Sequence, residues 1–265
     1  MNHRPRKRFG QNFLHDTGVI RRIIASIAPK PGDRLVEIGP GQGAITRELL
    51  SAVGRLDAVE LDRDLIKPLA SLCSPLGELR IHNADALKFD FCTLADVENT
   101  LRIVGNLPYN ISTPILFHLL DQAPCVKDMH FMLQREVVER MAAEPGSKTY
   151  GRLSVMLQAR CEVIPLFDIG PGAFTPAPKV DSAFVRLTPH RTAVYQIDDY
   201  PLFQRLVTAA FSQRRKTLRN ALRNLMTEAE IMAAGQVPGI RAEQLSVAEF
   251  AALANAAEHT HNPAS

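Results

Sequence analysis

The N-terminal half of the chain alternates between short runs of consecutive apolar residues and longer segments whose apolar residues recur at helical spacing. Residues 17–28 are of the second kind, because their valine and isoleucines recur three and four positions apart. The short runs are typical of buried strands and lie at 34–38, 56–60, 79–82, 101–104 and 129–133. Strands that alternate with helices predict an α/β fold with a Rossmann-like sheet and helices on both of its faces.

The pattern changes beyond residue 160. Residues 163–169 and 183–187 are predicted to form an antiparallel hairpin, joined by a long loop rich in proline and glycine. Because long structured loops are often functional, we expect Phe174 in this loop to be exposed, as one wall of a slot for a planar base. The alternative is that Phe174 fills the core beneath its own loop.

The C-terminal part of the chain is helical in pattern and is punctuated by Gly235 and by Pro238-Gly239. We therefore predict a domain boundary near residue 192, which divides the chain into domains 1–191 and 192–265. Helices are expected in the second domain near 200–211, 214–226, 227–234 and 246–257.

Composition narrows the class of protein. The 265 residues are 46% hydrophobic and 22% charged, which is typical of a globular protein. No apolar run approaches the ~20 residues of a membrane span, and no apolar segment of a signal peptide follows the basic N-terminus. The cysteines have no metal-site spacing, so we expect no metal, a cytoplasmic location and reduced thiols at Cys73, Cys92, Cys125 and Cys161.

The net charge of +3 conceals two basic stretches. Six basic residues against one acidic residue give residues 1–22 a charge of +5, and six basic residues with no acidic one give residues 202–226 a charge of +6, so the remainder carries −8. Two concentrated basic stretches on an otherwise acidic chain indicate a polyanionic partner. The alternative is a pair of solvated basic faces.

A glycine-rich turn follows the first predicted strand of the sheet. Its glycines are Gly39, Gly41 and Gly43, and Glu37 precedes them by two residues. A strand, a glycine turn and a helix start are typical of nucleotide binding. The third glycine comes one position too early for the motif that seats a pyrophosphate, so the loop favours a ligand that contains adenosine but no diphosphate.

Polar residues or glycine follow four predicted strands in turn: Gly39, Glu60, Asp85 and Asn106. The carboxyl ends of parallel strands meet at one edge of a sheet, where ligands bind, so we expect these four positions to line one site. The spacing of Glu60 from the glycine turn suits a group that binds ribose hydroxyls. Asp85 could accept a hydrogen bond from an adenine amino group, although it could equally be a helix cap.

The fourth of these strands runs into Asn106-Leu107-Pro108-Tyr109. The Asn106 amide oxygen and the Leu107 carbonyl are two acceptors, Pro108 stiffens the turn, and Tyr109 offers a flat face for stacking. Two acceptors and one ring can hold the exocyclic amino group of a base. The alternative is a strand-to-helix turn in which these residues serve geometry and packing only.

Six motifs together resemble the bacterial ribosomal RNA adenine dimethyltransferases, particularly those that act on small-subunit RNA: VEIGPGQG, VELD, NADAL, GNLPYNIST, FTPAPKVDS and QRRKTLRN. The resemblance implies a Rossmann-like methyltransferase sheet that binds S-adenosylmethionine, followed by a small helical RNA-binding domain. It implies that Asn12 and Leu14 close over the methionine end of the cofactor, with Gly39 near it. It further implies that Glu60 holds the ribose, Asp85 the adenine, and Asn106 both cofactor and target.

The implied activity is transfer of methyl groups to the N6 amino groups of two adjacent adenines near the 3′ end of small-subunit ribosomal RNA. The expected enzyme is a monomer that acts within an assembling 30S subunit. The residues expected at the reacting base are Asn106, Leu107, Pro108, Tyr109 and Phe174. Those expected to contact RNA are Arg6, Lys7, Arg8, Arg214, Arg215, Lys216 and Arg219.

Three other functions compete with this one. The first is methylation of large-subunit ribosomal RNA or of DNA at adenine N6, which would use the same slot. The second is a non-enzymatic nucleic-acid-binding assembly factor with the same fold. The third, a nicotinamide dehydrogenase, fits worst because of the glycine spacing.

Overall fold

The computed structural model describes residues 11–213 and 215–257. The predicted RNA contacts Arg6, Lys7, Arg8 and Arg214 lie outside these residues. The strands are β1 (Phe13–Leu14), β2 (Arg34–Ile38), β3 (Arg55–Val59), β4 (Glu78–His82), β5 (Leu101–Asn106), β6 (Val126–Gln134), β7 (Cys161–Ile169), β8 (Phe174–Thr175) and β9 (Ser182–Pro189). The α-helices are α1 (Thr17–Ile27), α2 (Thr46–Val53), α3 (Arg63–Cys73), α4 (Ser112–Asp121), α5 (Arg135–Met141), α6 (Arg152–Gln158), α7 (Tyr200–Ala210), α8 (Leu218–Leu222), α9 (Glu228–Ala233) and α10 (Val247–Ala256).

Seven strands form the central sheet in the order β4-β3-β2-β5-β6-β9-β7. The pairs from β4 to β6 are parallel, and β9 runs antiparallel to β6. The five predicted parallel strands and the Rossmann-like architecture are therefore confirmed. Both strands of the predicted hairpin also exist and are neighbours at one edge of the sheet.

The apolar stripe of α1 explains why this helix packs on the sheet. Its Ile23 and Ile27 are buried with Leu35 of β2 and with Leu49 and Leu50 of α2 in one core cluster. Asp16 caps the helix through a hydrogen bond from the Val19 amide. Leu14 of β1 belongs to the same cluster, so α1 and β1 pack on a common core.

The described chain divides into two compact units. The first contains the residues up to Val138 together with Val163–Pro189, and the second contains Glu139–Glu162 together with the residues from His190 on. The sequence placed residues 139–162 in the first domain. They group with the second unit because α6 packs against α7, and the Tyr150 ring meets Phe211 edge-on at a centroid distance of 6.1 Å.

The second unit is helical between residues 200 and 256, as expected, but one predicted helix is much shorter than the pattern indicates. In place of a helix over 214–226, α8 spans only Leu218–Leu222. Thr217 is extended, with φ −73° and ψ 161°, and forms an isolated β-bridge with Arg241. Because bridge geometry is incompatible with a helix, α8 begins only after Thr217.

The prediction of four reduced thiols is wrong for one pair. Cys92 and Cys125 form a disulfide with a Cα–Cα distance of 5.5 Å, while Cys73 and Cys161 are free and buried. Gln122 brings the two segments together, because its side-chain oxygen accepts a hydrogen bond from the Phe91 amide, 2.6 Å away. Within the described residues, no helix is long and apolar enough to cross a bilayer.

Candidate active site

A cavity of about 320 Å³ opens at the carboxyl ends of the parallel strands in the first unit. Its volume is within the range of small-molecule sites. Nine of the ten residues that the sequence assigns to cofactor or base line this cavity: Asn12, Leu14, Gly39, Glu60, Asp85, Asn106, Leu107, Pro108 and Tyr109. The tenth, Phe174, is not among the lining residues.

The glycine turn after β2 brings backbone close to the cavity. Gly39 and Gly41 have φ values of +65° and +57°, which favour glycine. The Gly39 amide donates to the Val59 carbonyl at 2.9 Å, which ties the turn to the end of β3. A Cβ on Gly41 would lie 3.2 Å from two ring carbons of Phe13. The absence of a side chain at Gly41 therefore lets the Phe13 ring of β1 pack against the glycine turn.

Glu60 is a buried carboxylate that holds its own loop in place. Its Oε1 accepts from the Asp62 amide at 2.8 Å, and its Oε2 accepts from the Gly41 amide at 3.3 Å. Burial raises the pKa of Glu60, and these two hydrogen bonds partly oppose the rise. The carboxylate therefore faces the cavity in a fixed orientation, with lone pairs left for a ligand.

Glu37 is a second buried acid in the cavity wall, to which the sequence assigned no role. It is 1% exposed, and its Oε2 has no hydrogen-bond partner among the described residues. Burial raises its pKa to about 8; the neighbouring Thr46 hydroxyl opposes the rise, and the charge of Glu60 adds to it. An acid within an otherwise apolar strand was the sequence signal that could have identified Glu37.

Asp85 both caps a turn and lines the cavity, so its two sequence interpretations are compatible. Its Oδ1 accepts from the Leu87 amide at 3.0 Å. Nearby, the Asn83 amide donates to the Glu60 carbonyl at 2.8 Å and thus joins the ends of β3 and β4. Asn83 was missed because this contact depends on which strands are neighbours.

The side-chain amide of Asn106 is oriented by the backbone of Asn12. Its Nδ2 donates to the Asn12 carbonyl at 2.9 Å. A carbonyl can only accept, so this contact determines which end of the amide carries the nitrogen. The Asn106 Oδ1 is therefore left as the acceptor. The Leu107 backbone is also held, because its amide donates to the Met132 carbonyl at 3.2 Å.

Residues 11–15 form a short segment beside the cavity, here called the N-terminal strap. Phe13 and Leu14 pair with Thr175 and Phe174 in the antiparallel β1–β8 ribbon, and the His15 amide donates to the Ala173 carbonyl at 2.9 Å. Gln11 Nε2 donates to Asp62 Oδ2 at 3.2 Å. The strap therefore connects the 170–175 loop with the Gly41, Asp62 and Asn106 regions of the site.

Tyr109 is half-buried in the cavity wall and is held at both ends. Its hydroxyl lies 2.8 Å from the Ser182 hydroxyl, and its carbonyl accepts from the Ser112 hydroxyl at 3.0 Å. Burial raises the pKa of Tyr109, and the hydrogen bond with Ser182 partly offsets this. With its hydroxyl engaged, the tyrosine presents its ring to the cavity.

The expectation that Phe174 is exposed is wrong. Phe174 is only 3% exposed and belongs to the core cluster that contains Leu14, Ile169 and Phe184. The physical reason is the β1–β8 ribbon, which pairs Phe174 with Leu14 and turns its ring inward. The alternative, that Phe174 fills the core beneath its loop, describes the structure.

The described residues among the predicted RNA contacts lie in the second unit. Arg215 and Arg219 are exposed and Lys216 is partly exposed. Arg219 forms a surface ion pair with Glu228 at 3.4 Å. Their placement is compatible with both sequence interpretations, a polyanion surface and a solvated basic face.

Known proteins resemble this chain over nearly its whole length. The model of the family described as ribosomal RNA adenine dimethylase matches residues 2–259. A protein named ribosomal RNA small subunit methyltransferase A from Pseudomonas fluorescens is 56% identical over 262 residues, covering 99% of this chain and 97% of the relative. A protein of the same name from Pseudomonas aeruginosa is 58% identical, covering 96% of this chain and 94% of the relative.

Two solved structures share the architecture. A dimethyladenosine transferase from Plasmodium falciparum superposes with a TM-score of 0.77 at 26% identity, covering 91% of this chain and 95% of the other. The 23S rRNA methyltransferase ErmE superposes with a TM-score of 0.73 at 25% identity, covering 92% and 99%. The chain belongs to the ribosomal RNA adenine dimethylase family.

Proposed function

We infer that this chain transfers methyl groups from S-adenosylmethionine to the N6 amino groups of two adjacent adenines near the 3′ end of small-subunit ribosomal RNA. One observation carries the inference: Asn106 to Tyr109 line the same cavity as Gly39, Glu60 and Asp85. Groups suited to an amino nitrogen and a base therefore adjoin groups suited to a nucleoside. The relatives named for small-subunit RNA favour that substrate over large-subunit RNA or DNA.

The cavity suits a ligand with ribose hydroxyls, an adenine and an ammonium group. Glu60 offers carboxylate lone pairs for hydroxyls, and Asp85 offers an acceptor for an adenine amine. The buried Glu37 has an oxygen without a partner in the described structure, which is the kind of atom that a ligand donor completes. Apolar side chains, including Ile38, Leu61 and Ala86, line the rest of the cavity.

Bound S-adenosylmethionine supplies a methyl group that its sulfonium already activates. The task of the protein is then to hold the target nitrogen. In the first transfer the Asn106 oxygen and the Leu107 carbonyl accept the two N–H groups, and in the second transfer one of them accepts the single N–H that is left. This favours a pyramidal nitrogen whose lone pair points away from the acceptors, and each new C–N bond is followed by loss of one N–H proton to water. The same acceptors stabilise positive charge as it develops on that nitrogen.

The ring of Tyr109 provides a wall against which the target base can stack once it leaves its RNA context. The ring and the two acceptors together hold the base in one orientation. This lowers the entropy cost of bringing its amino nitrogen into line with the methyl group. Pro108 restricts the turn between the two acceptors and the ring, so the three groups keep a constant relation through both methyl transfers.

The proposed substrate form is an assembling 30S subunit, met in the cytoplasm by a monomeric enzyme. The first unit then carries catalysis, and the second contributes basic residues to RNA phosphates. Support comes from the +6 charge of residues 202–226, which makes RNA affinity dependent on salt.

The test compares Asn106→Ala with the wild-type protein in methyl incorporation and in RNA binding. Because Ala removes the acceptor, methyl transfer should fall at least ~100-fold, as it does when a transition-state acceptor or donor is deleted, while RNA affinity stays within twofold. The control is Asn255→Ala, whose amide donates to the Gln196 carbonyl in the second unit and should leave both unchanged.

Substrates then separate the competing functions. The wild-type protein should methylate immature small subunits in preference to large-subunit RNA and duplex DNA, and mass spectrometry should find dimethyladenosine. Preferential methylation of DNA or of large-subunit RNA would overturn the assignment. RNA binding without any cofactor binding would identify an assembly factor instead.

A further inference from the structure

We propose that Ser182 is a positioning residue of the base site, whose hydroxyl holds the Tyr109 ring in the plane that the target adenine needs. The proposal rests on the proposed function and deepens it. Ser182 ends the FTPAPKVDS motif, and the sequence alone assigns it no role. Its hydroxyl lies 2.8 Å from the Tyr109 hydroxyl, although 73 residues separate the two.

Ser182 is suited to this role because it is fully buried and its backbone belongs to the central sheet. It is 0% exposed and is the first residue of β9, where it pairs with Gln134 at the end of β6. The neighbouring Asp181 is bound twice to Arg135, since its carbonyl accepts from the Arg135 amide at 2.9 Å and its carboxylate pairs with the guanidinium at 3.1 Å. The hydroxyl is thus carried by a strand end that is fixed on both sides.

Tyr109, in contrast, needs an external restraint. It lies in the non-helical turn between β5 and α4, and two side-chain torsions set the direction of its ring. The hydrogen bond from the Ser112 hydroxyl holds only its carbonyl. A bond at the far end of the ring is what prevents the ring from swinging, so Ser182 supplies the missing constraint.

The contact also indicates which part of the Tyr109 side chain can meet the base, the ring face or the hydroxyl. Its hydroxyl is paired with a fully buried hydroxyl, so the ring face rather than the O–H group is available to the base. Removing the bond should leave cofactor binding intact and disturb only the alignment of the base. The expected loss is therefore in kcat and not in affinity for S-adenosylmethionine.

The test uses Ser182→Ala and Tyr109→Phe, which remove the same hydrogen bond from its two sides. Each should lower kcat about tenfold, which corresponds to one lost hydrogen bond, with the Kd for S-adenosylmethionine unchanged. The double variant should be no slower than the slower single variant, since both substitutions delete one interaction. Ser182→Thr keeps the hydroxyl and should restore most of the rate.

A spectroscopic measurement reports on the ring itself. The chain has four tyrosines, so 3-fluorotyrosine labelling gives four ¹⁹F resonances, and Tyr109→Phe identifies one of them. Ser182→Ala should shift that resonance and leave the other three in place. The matched control is Ser154→Ala, another fully buried serine, whose hydroxyl donates to the Arg140 carbonyl in the second unit. It should change neither the Tyr109 resonance nor kcat.

An unmoved Tyr109 resonance in folded Ser182→Ala, or additive losses in the double variant, would overturn the proposal. If Ser182→Ala does not fold, Tyr109→Phe still tests the proposal. A normal kcat in Tyr109→Phe would show that the hydrogen bond between Tyr109 and Ser182 has no role in the reaction. Absence of adenine methylation by the wild-type protein would refute the proposed function, whereas the ¹⁹F shift would still test the contact.

Discussion

At the scale of single residues, the site depends on two buried carboxylates that differ in what surrounds them. Glu60 accepts backbone hydrogen bonds from Gly41 and Asp62, whereas one oxygen of Glu37 has no partner in the described structure. Burial raises the pKa of Glu37 from an ordinary 4.5 to about 8. At neutral pH the protein without ligand therefore holds Glu37 largely protonated, which avoids a second negative charge beside Glu60.

This predicts a pH dependence of stability that Glu37→Gln should remove. The pKa is higher in the folded state, so folding takes up a proton, and the contribution is fully present below about pH 4.5 and lost as pH rises through about 8. Relative to Glu37→Gln, the wild type should lose a few kcal/mol of unfolding free energy across this interval. Urea unfolding at pH 5, 7 and 9 without cofactor measures it.

The control for this experiment is Glu48→Gln, at an exposed position on α2. It should follow the wild type at all three pH values. Parallel pH profiles for the wild type and Glu37→Gln would show that Glu37 is ionised in the folded protein, contrary to the prediction.

At the scale of elements, the glycine turn and the N-terminal strap pack against each other and shape the same side of the cavity. Gly41 adopts φ +57° and leaves room for the Phe13 ring, while Asn12 orients the Asn106 amide. The sequence separately identified the glycine turn, Asn12 and Leu14 as cofactor-site residues. Their dependence on one another comes from contacts between segments that are far apart in the chain.

Gly41→Ala should weaken binding of S-adenosylmethionine by at least about tenfold. A Cβ there would lie 3.2 Å from the Phe13 ring, and the left-handed backbone costs an alanine about 1 kcal/mol. Gly32→Ala is the matched control, because Gly32 has φ +85° and nothing within 4 Å of its added Cβ. Calorimetric titration with S-adenosylmethionine should find weaker binding only for Gly41→Ala. Equal affinity in the two variants would show that the contact between Gly41 and the Phe13 ring does not support cofactor binding.

Two segments adopt structures that their local sequence patterns do not predict. Residues 214–226 have a helical pattern, yet Thr217 pairs with Arg241 and the helix is confined to Leu218–Leu222. Phe174 follows a loop-like run of proline and glycine, yet the β1–β8 ribbon buries it. In both cases a partner segment overrides a local preference, and no local pattern records the partner.

At the scale of the whole molecule, charge is distributed unevenly. The stretches 1–22 and 202–226 are basic, and the rest of the chain is acidic. An acidic protein surface repels RNA except where basic residues meet phosphate, so the two stretches limit where RNA can bind.

Substituting Arg214, Arg215 and Lys216 by Gln should weaken RNA binding and flatten its salt dependence. Each lost phosphate contact should reduce the slope of log K against log salt by somewhat less than one, roughly 0.7–0.9. The control substitutes exposed Lys30, Arg80 and Lys127 by Gln, which changes net charge equally outside both basic stretches. Filter binding from 50 to 200 mM salt measures both slopes; identical slopes would assign the effect to net charge alone.

The order of elements and the positions of polar residues at strand ends can be read from the sequence. Apolar periodicity is a local property, and parallel strands place their carboxyl ends at one sheet edge, so Gly39, Glu60, Asp85 and Asn106 were predicted to meet. They line one cavity. The glycine spacing likewise needs no tertiary information.

The remaining contacts emerge only from the folded chain, because each joins residues with no shared local pattern. The Cys92–Cys125 disulfide, the grouping of residues 139–162 with the second unit, and the Ser182–Tyr109 contact are of this kind. Such contacts arise from how packed segments bring distant side chains within a few ångströms of each other. Periodicity determines which face of a segment is buried, but it does not determine which partner covers that face.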